Sequence, residues 1–248
     1  MAIKSIQYKH QTFQISYEIL HPEKSKPLIF LHGWGSNKEL MKQSFEKTMD
    51  TFRHVYIDLP GFGNSTCNVP LETEDYANIL DLFLAQINAN QDHMILGHSF
   101  GGKVALLLNP KILILVGSSG IPVPKPLKIK AKIALFKMLK FLGFSKLRSF
   151  FVAEDAKKLN AIMYQTFKNV VNEDLTSAFK AYSGKALLCW GRDDTATPLY
   201  TAKKIDKLIA DSRLVVYNGD HYFFMKQAGA VAREIETTVL ASLQSKAE

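Results

Sequence analysis

Short apolar runs alternate with amphipathic stretches along almost the whole chain. Residues 3–9 and 12–20 read as two strands joined tightly through His10-Gln11. Six further runs have the length and apolar content of strands buried on both faces of a parallel sheet. They are Pro27-Leu28-Ile29-Phe30-Leu31, Arg53-His54-Val55-Tyr56-Ile57-Asp58, His93-Met94-Ile95-Leu96, Lys111-Ile112-Leu113-Ile114-Leu115-Val116, Lys185-Ala186-Leu187-Leu188-Cys189-Trp190 and 212–217. Helical stretches separate them. Residues 36–51 carry Leu40, Met41, Phe45 and Met49 on one face behind a cap at Ser36 or Asn37. Residues 73–88 carry Tyr76, Ile79, Leu80, Phe83, Leu84 and Ile87 on one side, with Thr73 as the expected cap. Residues 103–108, 199–210 and 224–244 complete the set. The pattern predicts an α/β fold, a mostly parallel eight-stranded sheet flanked by helices.

The alternation stops after Gly117-Ser118-Ser119-Gly120 and resumes about 60 residues later. A core of residues 1–120 and 181–248 is therefore expected, interrupted by an insertion at 121–180. Pro122, Pro124 and Pro126 mark its entry as a stiff linker.

With 248 residues the chain can bury one large core. Its hydrophobic content of 47% and charged content of 22% are those of an ordinary water-soluble domain. The first residues alternate like a strand and lack the apolar core of a signal peptide. No apolar run approaches the roughly 18 residues that cross a bilayer. Cys67 and Cys189 lie far apart without metal-ligand spacing. They read as reduced thiols, which suits the cytoplasm. Neither a metal nor a cofactor is expected.

Chemistry enters at Gly97-His98-Ser99-Phe100-Gly101-Gly102, between an apolar strand and a helix. A G-x-S-x-G in that context describes a nucleophile elbow, a serine held in a sharp strand-to-helix turn whose glycines make room for the crossing chain. Serine needs a general base, and the base needs a carboxylate to fix its tautomer. His221 is the one histidine after the elbow, in the loop following the last strand. Asp193 and Asp194 both follow the strand ending at Trp190 and both qualify as the acid. Ser99, His32 and Asp194 all lie just after expected strands, which places them on one rim of the sheet.

These residues carry a resemblance to the α/β-hydrolase family, whose triad order is Ser…Asp…His. His32-Gly33-Trp34-Gly35 resembles its oxyanion-hole loop, Asp58 to Ser65 its D-x-P-G-x-G-x-S turn, and Trp190 to Pro198 its W-G-x-x-D-x-x-x-P acid loop. The resemblance to lidded members implies that the insertion at 121–180 is a helical cap over the catalytic rim, and it implies Ser99, Asp194 and His221 as catalytic residues. It also implies an oxyanion hole made by the backbone N–H groups of Trp34 and Phe100. His32 and Tyr222 are the candidate substrate contacts, although His32 and His98 read more readily as structural hydrogen-bond partners than as second bases. Tyr222, Phe223 and Phe224 are either pocket lining or core.

The implied activity is hydrolysis of a carboxylic ester or thioester through an acyl-enzyme. Carbon–carbon bond hydrolysis of a 2-hydroxy-6-oxo-dienoate is an alternative, since lidded enzymes of that kind share the plan. They typically carry an asparagine before the nucleophile and G-H-W at the histidine, where this chain has His98 and Asp220-His221-Tyr222. A degenerate hydrolase that only binds a ligand is the alternative of a different class. The formal net charge is +8, and residues 121–180 hold 12 Lys/Arg against 4 Asp/Glu, so the rest of the chain is neutral. Eight of those bases, among them Lys125, Lys128, Lys130, Lys132, Lys137 and Lys140, fall between 121 and 150 with no acid. The basic cap is a solvated face, a dock for an acidic acyl carrier protein, or a patch for anionic membrane. Nucleic acid is not an expected partner, because no nucleic-acid module accompanies the charge.

Overall fold

A computed structural model describes residues 1–89, 93–124 and 161–244. One eight-stranded sheet organises them, built from β1 (Ala2–Tyr8), β2 (Gln11–Leu20), β3 (Pro27–Leu31), β4 (Arg53–Ile57), β5 (Met94–His98), β6 (Ile112–Val116), β7 (Lys185–Gly191) and β8 (Ser212–Tyr217). Their order across the sheet is β1-β2-β4-β3-β5-β6-β7-β8. Only β2 runs against the others, pairing antiparallel with both β1 and β4. The expected mostly parallel sheet is thus present.

Period-two alternation sorts the side chains of each strand between two cores. Ile29 and Leu31 of β3, Ile95 of β5, Leu113 and Leu115 of β6, and Leu188 and Trp190 of β7 face one side. They meet α2 (Thr73–Gln86), α3 (Phe100–Leu107), α5 (Thr176–Ala181) and α6 (Leu199–Leu208) through Phe83, Val104, Phe179 and Ile205. Leu28, Phe30, Leu96, Ile114, Leu187 and Cys189 face the other side. They pack against α1 (Lys38–Phe45) and α7 (Phe224–Gln244) through Met41, Phe45, Phe224 and Ile235. Near-continuous apolar strands are what burial on both faces requires. The remaining described helix, α4 (Ala161–Val170), precedes α5 and packs Met163 and Val170 into the first core.

Two helix boundaries differ from the sequence reading. The helix expected over 36–51 ends at Phe45, because the chain turns there and Met49 takes a left-handed φ of 56° to stay buried. Asn37 is its cap, accepting from the Glu39 amide at 3.0 Å. Thr73 is not the cap of α2. That position falls to Glu72, whose N–H donates to the Asp75 carboxylate at 2.9 Å. Thr73 is instead the buried first residue of the helix, and its hydroxyl donates to Glu173.

The inserted cap, its proline entry at Pro126 and its run of lysines fall largely on residues 125–160, outside the described residues. Of the expected insertion, residues 121–124 at its entry and 161–180 at its far end, where α4 and most of α5 lie, are described. Among the described residues no helix is long and apolar enough to cross a membrane.

Candidate active site

The turn between β5 and α3 holds Ser99 at φ 53° and ψ −114°. A serine in this region is strained by about 1–3 kcal/mol, so the surroundings must over-determine it. Its own N–H donates to the Val116 carbonyl at 3.1 Å, and its carbonyl accepts from the amides of Gly102 and Ser119, both at 3.1 Å. The glycines explain why the turn closes. A Cβ at Gly97 would lie 2.4 Å from the Gly101 carbonyl oxygen, and one at Gly101 would lie 2.5 Å from that of Leu31. Strand and helix can cross this closely only without those carbons.

Asp194 stands at the end of β7 and is 4% exposed, whereas neighbouring Asp193 faces solvent. Four donors meet the Asp194 carboxylate. The amides of Ala196 and Thr197 donate to Oδ1 at 2.9 and 2.8 Å. The Thr197 hydroxyl and His221 Nδ1 reach Oδ2, each at 2.8 Å. Burial alone would raise this carboxyl, but the His221 bond and the Thr197 amide outweigh it, and the net direction is downward. The carboxylate therefore stays ionised and fixes the proton of His221 on Nδ1, leaving Nε2 as the free acceptor. Trp190 anchors the same loop, donating from Nε1 to the Thr197 carbonyl at 2.7 Å.

Beside the elbow, the His98 and His221 rings lie 4.6 Å apart, and His98 Nε2 donates to the His221 carbonyl at 3.2 Å. Burial pushes the His98 imidazole down to about 3, so it is neutral at physiological pH. Gly117 lies against both partners of the acid–histidine pair, within 3.2 Å of Asp194 Oδ2 and His221 Nδ1 for a Cβ placed there. Elbow, acid and histidine thus occupy one rim, at the carboxyl ends of β5, β7 and β8.

A cavity of about 220 Å³ opens at Ser99. Trp34, Phe100, Phe167 and Val170 supply apolar wall, and Lys103, Ser119 and Thr197 supply polar atoms. Trp34 packs edge-on against Phe62 and Phe100, with ring centroids at 4.9 and 5.5 Å. Phe100 is the first residue of α3, so its amide has no partner within the helix. Among the described residues no carbonyl accepts from the Trp34 amide either.

Two expectations are corrected here. His32 is not placed to touch substrate: it is wholly buried, its Nδ1 meets the Gly33 carbonyl at 2.8 Å, and its Nε2 accepts from the Leu59 amide at 3.0 Å. It fastens the Trp34 loop to the loop after β4. Phe223 and Phe224, weighed as pocket lining, are buried in the second core. Tyr222 remains 45% exposed, its ring 5.4 Å from His221 and 5.3 Å from His98. It borders a separate cleft with Asp220 and Met225 rather than the cavity at Ser99.

Asp58 opens the turn running to Ser65 and is a framework residue. It is fully buried, with Lys38 Nζ at 2.8 Å and the Lys38 and Asn64 amides at 2.8 and 3.0 Å. Ser65 closes that turn by donating to the Asp58 carbonyl at 2.7 Å. Sequence reasoning missed Thr197 and Lys103. Thr197 lies three residues after Asp194, the spacing at which a side-chain carboxylate collects the next free amides. Lys103 lies in the first turn of the helix that starts after Ser99, and a charge there within an otherwise apolar run is its signal.

The doubly wound sheet with an elbow serine and a buried acid–histidine pair defines an α/β-hydrolase. The profile of the Alpha/beta hydrolase family matches residues 28–234, and the chain belongs to that family. Among curated relatives, the pimeloyl-[acyl-carrier protein] methyl ester esterase of Vibrio campbellii is 26% identical over 84% of this chain and 92% of its own. The AB hydrolase superfamily protein YisY of Bacillus subtilis is 27% identical over 82% of this chain and 87% of its own. Among solved structures, an esterase from Exiguobacterium antarcticum superposes with a TM-score of 0.74 at 21% identity, covering 95% of this chain and 98% of the other. A meta-cleavage product hydrolase from Pseudomonas fluorescens gives 0.72 at 17% identity, covering 96% of this chain and 98% of the other. At those identities the superpositions speak for the fold alone. The family supports a hydrolase, and esterases stand among its curated relatives.

Proposed function

We propose that the protein is a serine hydrolase of carboxylic esters or thioesters, with Ser99 as nucleophile, His221 as general base and Asp194 as its orienting acid. One observation carries the reading: the 2.8 Å bond from His221 Nδ1 to a buried, ionised Asp194, on the same rim as the elbow serine. Nε2 of His221 takes the Ser99 proton as Oγ attacks the scissile carbonyl. The amides of Trp34 and Phe100 receive the developing oxyanion, in a site walled by aromatic rings where hydrogen bonds gain strength. His221 then hands its proton to the departing alcohol or thiol, leaving an ester on Ser99. Water, deprotonated by the same nitrogen, hydrolyses that ester and restores the serine.

The Vibrio relative supports a methyl ester carried on an acyl carrier protein as one substrate form. The basic run between 121 and 150 is of the sign that an acidic carrier would meet. A fluorophosphonate should label wild-type protein at Ser99 and leave Ser99→Ala unlabelled. Ser99→Ala should also lose p-nitrophenyl ester turnover by several orders of magnitude with its fold intact. Turnover surviving at about a tenth of wild type would place the reaction elsewhere, and an unlabelled wild type would favour a binding-only protein.

A further inference from the structure

Lys103 carries a charge that the proposed chemistry does not use. It is the fourth residue of α3, the helix that begins directly after Ser99. Only 2% of it is exposed, yet it borders the cavity at Ser99. Its ammonium group has three hydrogens. One goes to the Val170 carbonyl at the end of α4, and a second goes to Glu173 at 3.2 Å. Glu173 also accepts from the Thr73 hydroxyl, so α2, α3 and the α4–α5 connection meet at this ammonium. Burial lowers the lysine's affinity for its proton, and the attraction of Glu173 opposes that fall.

Among the described residues these two acceptors leave the third hydrogen. A hydrocarbon acyl chain filling the cavity would expel water and strand that hydrogen without a partner, which is costly for a buried cation. A chain with an oxygen at the right depth would satisfy it. The lysine is already paired with a carboxylate, so the complementary group is a neutral acceptor: an ether, hydroxyl or carbonyl oxygen. A second carboxylate would meet Glu173 beside the ammonium. The cavity's remaining wall near Lys103 is Phe167, Val170 and Val171, which suits methylenes before and after that oxygen.

We infer that Lys103 is a specificity-determining residue that selects acyl groups bearing a neutral oxygen acceptor some bonds from the scissile carbonyl. The inference rests on the ester-hydrolase reading, with Ser99 fixing the scissile carbonyl at the near end of the cavity.

The test uses p-nitrophenyl alkanoates of one chain length in which successive methylenes are replaced by an ether oxygen. Wild-type protein should show a maximum in kcat/KM at one oxygen position, about 10- to 100-fold above the all-carbon ester, the range for a hydrogen bond to a charged donor. Lys103→Met should flatten the series, so that no ether position exceeds the all-carbon ester measured on the same folded variant. A flat wild-type series overturns the inference without any variant, so a Lys103→Met that fails to fold does not protect it. A maximum that persists in folded Lys103→Met also overturns it. Failure of every ester, together with no fluorophosphonate labelling, would instead strike the ester-hydrolase reading itself.

Discussion

Replacing Asp194 by asparagine isolates the tautomer argument, because the new side chain is nearly the same shape. The carboxylate now accepts four hydrogen bonds, two on each oxygen. An asparagine offers one acceptor oxygen and one NH2 group. The two main-chain amides at Oδ1 are fixed donors, so the asparagine oxygen turns to them and its NH2 turns to Thr197 and His221. Thr197 adapts, since its hydroxyl hydrogen can turn to the Gly117 carbonyl, 3.0 Å away, while its oxygen accepts. His221 adapts only by moving its proton to Nε2, which removes the base that Ser99 needs. The corresponding change in a serine protease lowers kcat about 10⁴-fold, and a loss of that order, about 5.4 kcal/mol of transition-state stabilisation, is expected here. Stability should fall by no more than about 1–2 kcal/mol, because both amides keep an acceptor.

The assay is kcat on a p-nitrophenyl ester for Asp194→Asn and for Asp193→Asn, with urea unfolding to confirm that both are folded. Asp193 faces solvent, and its replacement should cost less than about threefold. An Asp194→Asn protein that keeps more than about a tenth of wild-type kcat would refute the tautomer argument. A larger loss in Asp193→Asn would move the acid by one residue.

Two further outcomes concern stability. His32 and His98 are buried as neutral rings and pushed down to about 4 and about 3, below their ordinary value near 6.5. The unfolded chain therefore binds these protons first. Their contribution is complete above about pH 6.5 and is lost as pH falls toward 4 and then 3, by about 1.4 kcal/mol per pH unit for each ring at most. The urea midpoint should drop steadily from pH 7 to pH 5, and a midpoint unchanged over that range would contradict the neutral, buried assignment. Separately, Lys38→Met should destabilise the fold by about 3–5 kcal/mol, because it leaves the buried Asp58 carboxylate without its cation. A shift in urea midpoint worth less than about 1 kcal/mol would mean that the Lys38 and Asn64 amides suffice for Asp58.

The sheet was legible because each central strand is buried on both faces, and apolar runs such as Ile112–Val116 have few other uses. The elbow was legible because its glycines answer a steric demand: Gly97 and Gly101 admit no side chain, so their spacing around Ser99 survives in the residue string. What the string hid were choices made by three-dimensional neighbours. Asp193 and Asp194 are chemically identical, and only the path of the chain turns one toward His221 and the other to solvent. His32 looked like a site residue from its place after β3. Its role is decided by the Leu59 amide, 27 residues away. Thr73 could cap a helix by residue type, but the helix begins one residue earlier and the hydroxyl finds Glu173 across 100 residues.

The same distinction divides the site itself. The half made by β5, β6 and α3 is held by main-chain bonds and excluded Cβ atoms, so Ser99 has one available position. The acid and histidine meet through their side chains from the loops after β7 and β8, with the Ala196 and Thr197 amides also holding the acid, and a single atom change there alters a proton's place without moving the backbone. The facing wall, from α4 to α5, is tied to α3 by the Lys103 ammonium group and to the loop after β6 by the Leu175 amide, which donates to the Gly120 carbonyl at 2.8 Å. Substitutions at Gly97 or Gly101 should therefore abolish folding or activity outright, whereas those at Phe167 or Val171 should change which ester is preferred.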